Sequence, residues 1–276
     1  MSVSPLVPSA PAAPFTPLAP EALHPSLWRA HQLARSRAVA TASGWAALDA
    51  ELPEGGWPHG QLTELLLPRP GLGEMRLLAP ALAACQREGR CVMLFDPPAP
   101  LSARALAELG LAIEPLLLVH GRAGPRPAAQ RALLPNPDVQ WALEQALRSG
   151  HVGAVLAWLP ERLRADALRR LQLAAQAHPG PVFLMREAAA RARPSAAPLR
   201  LLLQPAGLDA LSLRLLKRRG PPCAEPLTLP LAPVVAPPLR AALQARLAAT
   251  EAITAASAAA GTADAPVALR PSRHSH

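Results

Sequence analysis

The chain has 276 residues, of which 50% are hydrophobic and 17% charged, enough to enclose one sizeable core. Its 28 Lys and Arg (27 of them Arg) outnumber 19 Asp and Glu, giving a formal charge of +9; with 35 Pro and no Tyr, this bias is that of a GC-rich genome as much as of a basic protein. Three Cys without metal-ligand spacing exclude a disulfide scaffold and point to a reducing cytoplasm, and the chain shows neither an 18-residue uncharged apolar run nor a basic-then-apolar leader.

Met1 to Pro20 contains six prolines and no charged side chain, which predicts a disordered lead. Glu21 to Ala40 has helical spacing at Leu23, Leu27, Ala30, Leu33 and Ala34 and reads as a docked helix or partner-binding arm. Strands and helices then alternate across 41–233. Apolar runs predict strands at Gln61–Leu67, Cys91–Phe95, Leu116–Val119, Val152–Trp158 and Pro181–Met185. Helical spacing, capping residues and Gly or Pro stops predict helices at Glu74–Glu88, Ser102–Leu109, Asp138–Ser149 and Glu161–Ala177. Leu199–Gln204 and Leu211–Lys217 read as a final antiparallel hairpin. This order predicts one α/β domain with a mostly parallel sheet covered on both faces. The Ala/Pro-rich tail over 234–276 is expected to be helical only at Leu239–Ala248 and otherwise disordered.

The informative stretch is QLTELLLPRPGLGEMRLLAPAL, Gln61 to Leu82, a strand, a Gly-containing turn and a helix. That is the frame of a phosphate loop, G-x-x-x-x-G-K-[ST], in which backbone N–H groups and Lys bind phosphate and the hydroxyl holds Mg²⁺. On this template Pro68 takes the first Gly position and Gly73 the second, with Gly71 between; Glu74 replaces the Lys and Met75 the Ser/Thr. A carboxylate in place of an ammonium reverses the charge beside a polyanion, a change of several kcal/mol at an effective dielectric of about 20. Pro68 and Pro70 remove two backbone donors. The strand VGAVLAW ends in Trp158-Leu159-Pro160, with no metal-holding acid. Asp96, after CVMLF, is the one acid at such a strand end, and as Asp before Pro it reads as a turn former or cap. Glu74 itself reads as a helix-start carboxylate favoured by the macrodipole.

From Arg186 to Arg219 there are eight basic and two acidic residues, so this segment holds +6 of the net charge. Arg186, Arg191, Arg193, Lys217, Arg218 and Arg219 are therefore candidates for contact with a phosphate backbone or an acidic protein face. The segment contains no Phe, Tyr or Trp for base stacking. Trp45 and Trp57, on either side of a Gly-rich turn, read as core or lid packing. His59, His120, His151 and His178 sit at separate element ends without metal-ligand spacing, and neither Ser43 nor Ser102 has a His/Asp arrangement near it.

The run GWAALDAELPEGGWPHGQLTEL, the GLGEM turn and the ending LLKRRGPP are similar to the ImuA family of translesion DNA synthesis-associated proteins, a family related to RecA recombinase and to the cell-division inhibitor SulA. The resemblance covers 27–233. It implies a RecA-like, P-loop-type core and an SOS-induced accessory role in mutagenic lesion bypass, with no cofactor. The implied partners are an ImuB-like Y-family polymerase homologue and an error-prone replicative-type polymerase, with RecA and single-stranded DNA as further candidates. The implied place is the cytoplasm, at the nucleoid, without a membrane. Catalysis does not carry over: Pro98 stands where RecA has its catalytic Glu, and the phosphate-loop Lys and Thr are absent. Two alternatives remain open, a SulA-like inhibitor of the division protein FtsZ and a RecA-like DNA-dependent ATPase.

Overall fold

The computed structural model describes residues 39–121, 137–160, 162–220, 223, 225–234 and 236–261. The lead over 1–20, almost all of the 21–40 arm and the end of the tail lie outside the described residues; the fold below belongs to a compact unit that begins at Val39. A short entry comes first: β1 (Ala40–Thr41) pairs antiparallel with β2 (Trp57–Pro58), and α1 (Ala46–Asp49) and a 3-10 turn (Pro53–Gly55) lie between them. Then follow β3 (Leu62–Leu67), α2 (Glu74–Arg87), β4 (Cys91–Phe95), α3 (Ala103–Glu108), β5 (Leu116–Val119), α4 (Pro137–Arg148), β6 (Val152–Trp158), α5 (Ala165–Ala175) and β7 (Val182–Glu187). A 3-10 turn (Ala188–Ala192), β8 (Leu199–Pro205), β9 (Ala210–Lys217), β10 (Leu227–Pro230) and α6 (Pro237–Gly261) complete the described chain.

One eight-stranded sheet has the order β10-β9-β8-β3-β7-β6-β4-β5. The neighbours from β8 to β5 are all parallel, while β9 and β10 add antiparallel at the far edge. The expected α/β core with a mostly parallel sheet and a terminal hairpin is what forms. β3 is central and buried along its whole length, and four of its six residues are Leu, as a strand covered on both faces requires. Leu65 and Leu67 point into one core, beneath Leu77, Leu78 and Leu82 of α2 and Leu106 of α3. Leu62 points into the other, under Leu143 of α4 and Leu168 and Leu171 of α5. Trp57 is fully buried and meets Phe183 edge-on, with ring centroids 5.1 Å apart. Trp45 is half-buried, and its indole N–H donates to the Leu77 carbonyl at 3.1 Å, beside Pro80 within α2. Both tryptophans therefore pack, as their positions suggest.

Several boundaries differ from the sequence reading for local reasons. α5 starts at Ala165 because Arg164 is extended (ψ 146°) and acts as its N-cap. Ser102 caps α3 by accepting from the Ala105 N–H at 3.3 Å. β10 has a Pro at its last position, which an edge strand tolerates, and it registers on β9 through Leu229 opposite Leu211. α6 runs over Pro237–Gly261, well beyond the expected Leu239–Ala248, because the segment is Ala-rich and Ala has the highest helix propensity.

Glu64 is the exception in β3. It is 0% exposed and shares its face with Leu62 and Leu66, yet ion-pairs with Arg186 of β7 and Arg200 of β8. Register explains the meeting: Glu64 lies opposite Arg200, and Arg186 lies opposite Leu66, two residues further on. Arg200 also donates to the Ala190 carbonyl at 3.0 Å, which pins the 3-10 turn over Leu66 and Leu202. Glu64→Gln should lower unfolding stability by about 3–5 kcal/mol in urea titrations, because it leaves buried guanidinium charge uncompensated.

At the opposite end of the strands, burial pushes the His178 imidazole from 6.5 down to about 4, and burial also lowers that of His59, whose Nε2 lies 2.7 Å from Thr41 Oγ1. A histidine held neutral in the fold binds its proton more readily once unfolded, so its contribution is fully present above pH 6.5 and is lost as pH falls towards 4. Stability should therefore drop by roughly 3 kcal/mol across that window through His178, and His178→Leu should flatten the slope of unfolding free energy against pH.

Candidate functional site

The loop between β3 and α2 is where a phosphate would sit in a nucleotide-binding chain. Pro68, Arg69, Pro70 and Gly71 are exposed, and Gly71 and Gly73 adopt positive φ, 82° and 115°. That geometry turns the amides of both glycines towards the start of α2, a natural anion site. Here the anion is internal. Glu74, the first residue of α2, is 3% exposed, and its Oε1 accepts from the Gly71 N–H at 2.7 Å while Oε2 accepts from the Gly73 N–H at 3.1 Å. The carboxylate at the Lys position thus fills the amide pair, and the helix dipole favours it there. Met75, at the Ser/Thr position, is half-buried and packs on the apolar core beside α2.

The loop is also roofed. A Cβ placed on Gly73 would come within 2.6 Å of Leu231 Cδ1, and Leu231 is 4% exposed. Leu231 directly follows β10, and its N–H donates to the Asp209 carbonyl at 2.8 Å. Arg76, two residues after Glu74, ion-pairs with Asp209 at 2.8 Å, and Arg240 of α6 reaches the other oxygen of the same carboxylate at 2.6 Å. The start of α2, the β8–β9 turn and the start of α6 are thereby joined around one carboxylate.

The other positions of a phosphate-processing site are equally committed. Asp96 is left-handed (φ 48°), and its Oδ1 accepts from the Gly121 N–H at 2.8 Å, which ties the end of β4 to the end of β5. Its turn-forming reading is the one the geometry supports. After Trp158, the Leu159 N–H donates to the Met185 carbonyl at 2.9 Å, so β6 runs out into backbone pairing with no acid there. Among the described residues no group of three or more His, Cys, Asp or Glu is placed to hold a metal ion, and no helix is long and apolar enough to cross a membrane.

The basic segment divides in two. Arg186 is 3% exposed and bound to Glu64, so it cannot belong to an external contact; this corrects its place among the candidates, and the cause is the lone carboxylate in β3. Arg218 is largely buried too, with its guanidinium 2.6 Å from the Glu51 carboxylate. Arg191, Arg193, Lys217 and Arg219 remain exposed, and Lys217 Nζ donates to the Ser195 carbonyl at 3.1 Å, beside the loop that carries Arg193. Arg214 joins them: it is exposed on β9, opposite Leu202, which Ala190 of the 3-10 turn covers. Strand alternation, outward between buried Leu213 and Leu215, was the signal available for it.

With this geometry in view, two comparisons place the chain. Residues 60–180 match the family model of the cell division inhibitor SulA. RecA proteins of Lactococcus lactis, from subsp. cremoris strain MG1363 and from subsp. lactis strain IL1403, are 28% identical to it over 155 residues, which cover 53% of this chain and 40% of each RecA. The chain thus spans well under half the length of those relatives, and its central segment is RecA/SulA-like. Within that segment Glu74→Ala should destabilise the fold by about 1.5–3 kcal/mol in urea titrations, since two amides lose a charged acceptor. Glu74→Lys should cost at least as much, because an ammonium offers those amides no acceptor.

Proposed function

We propose that this protein is a non-catalytic accessory factor of the DNA-damage response. Its likeness to RecA and to SulA supports a damage-related role, and the observation that carries the non-catalytic part is Glu74, whose two carboxylate oxygens take up the amides a phosphate would need. A RecA-like frame without phosphate chemistry retains surfaces, and binding is what surfaces do. On this reading the protein works in mutagenic translesion synthesis, contacting an ImuB-like polymerase homologue and an error-prone replicative-type polymerase, through the exposed cations Arg191, Arg193, Arg214, Lys217 and Arg219. The match to a cell division inhibitor over residues 60–180 favours a second reading, in which the partner is the tubulin-like GTPase FtsZ.

Two measurements test this. Calorimetric titration with Mg-ATP should give no heat at micromolar protein, and a micromolar Kd would overturn the non-catalytic reading in favour of an ATPase. Pull-downs with the tagged full chain should retain the polymerase pair; retention of FtsZ alone would select the inhibitor. Arg191→Glu with Arg219→Glu should abolish the polymerase capture without changing Tm, whereas Arg218→Glu should lower Tm by breaking the pair with Glu51.

A further inference from the structure

β5 ends the sheet. Its inner edge pairs with β4, and no described strand pairs with its outer edge. The Val92 N–H donates to the Pro115 carbonyl and the Asp96 N–H to the Val119 carbonyl, both at 2.8 Å. The backbone polar groups of 115, 117 and 119 therefore face β4, and strand alternation turns those of Leu116, Leu118 and His120 outward. The Leu116 N–H is held locally by the Ile113 carbonyl at 3.1 Å. Leu117 and Leu118, on opposite faces of the strand, are 48% and 50% exposed, and neighbouring Ile113 is 38% exposed. Edge strands are ordinarily guarded by shortness, a charge, a Pro or a bulge; Leu116–Val119 (LLLV) is short but contains no charge, Pro or bulge.

We propose that this edge is a homodimer interface, in which β5 pairs antiparallel with β5 of a second copy about a two-fold axis at Leu118. An added strand must be apolar on both faces to cover Leu117 and Leu118 together, and β5 meets that demand with Leu116 and Leu118 on one face and Leu117 and Val119 on the other. The outward groups permit the symmetric register. Leu118 exchanges both backbone bonds with its own copy, and each His120 N–H donates to the Leu116 carbonyl across the axis. That arrangement leaves the turn bond from Leu116 to Ile113 undisturbed. The pairing joins two sheets into one, and the two-fold closes it, so assembly stops at two copies. A strand this short buries less than the ~1,200 Å² of standard interfaces, so the dimer exchanges with monomer at micromolar protein.

Sedimentation velocity on the full chain across micromolar concentrations should show monomer passing to dimer, and Leu118→Lys should hold it monomeric with an unchanged circular dichroism spectrum. In a Cys91→Ser, Cys223→Ser background, Leu118→Cys should be joined to its copy by a short bis-maleimide, because the paired Cα atoms would lie about 5.5 Å apart. A monomer at every concentration, growth into open-ended polymers, or a dimer untouched by Leu118→Lys would each overturn the proposal. Should Leu118→Lys fail to fold, the cross-link decides, and its absence overturns the interface.

Discussion

A single carboxylate in the middle of the sheet sets the terms for much of this molecule. Glu64 sits on the central strand between two neighbours that each bring an Arg, so three strands are linked by charge as well as by backbone bonds. A one-residue slip of β7 or β8 would turn a guanidinium to the opposite, apolar face, and burying an unpaired charge costs far more than misplacing a Leu. The pairing therefore specifies register where Leu-rich strands alone are permissive. Through Arg200 and the Ala190 carbonyl it also draws the segment after β7 down onto the sheet. What might have been a long solvent-facing loop becomes a closed turn.

The same logic operates at the start of α2. A buried carboxylate again finds donors, here two amides that a Gly-rich loop presents for an outside ligand. A roof accompanies it: Leu231 closes over Gly73, and Asp209 binds Arg76 and Arg240 together. Charge that would serve exchange with solvent molecules in a nucleotide-binding chain is directed inward. The surfaces left for contact lie elsewhere, on β9 and the turn before β8.

Much of this was legible in the sequence. The alternation of apolar runs and helical faces announced the sheet and its helices, because parallel strands buried on both sides leave segments dominated by Leu, Val and Ala, as in Leu62–Leu67 and Val152–Trp158. Glu74 was identifiable as the wrong charge in the right frame, but which atoms its carboxylate would satisfy was not, since that depends on the φ values of Gly71 and Gly73. The basic segment was misread in part for an equally physical reason. Counting charge along a chain cannot separate Arg186 and Arg200, which a residue more than a hundred positions away neutralises, from Arg191 and Arg219, which stay in water. β10 escaped notice because two prolines within five residues, Pro226 and Pro230, hide a strand that only the edge of a sheet permits.

The filled amide pair has a consequence for timing. A ligand tethered to its own site competes at an effective concentration set by a few rotatable bonds, far above any dissolved phosphate. In a nucleotide switch, hydrolysis acts as a clock that limits how long one state lasts. On the proposed non-catalytic reading, a chain whose anion is part of its own backbone neighbourhood would have no such clock, and its shape would be the same in an energy-rich and an energy-poor cell. On that reading, the duration of whatever it assembles would be governed by how much of it is made and how soon it is destroyed.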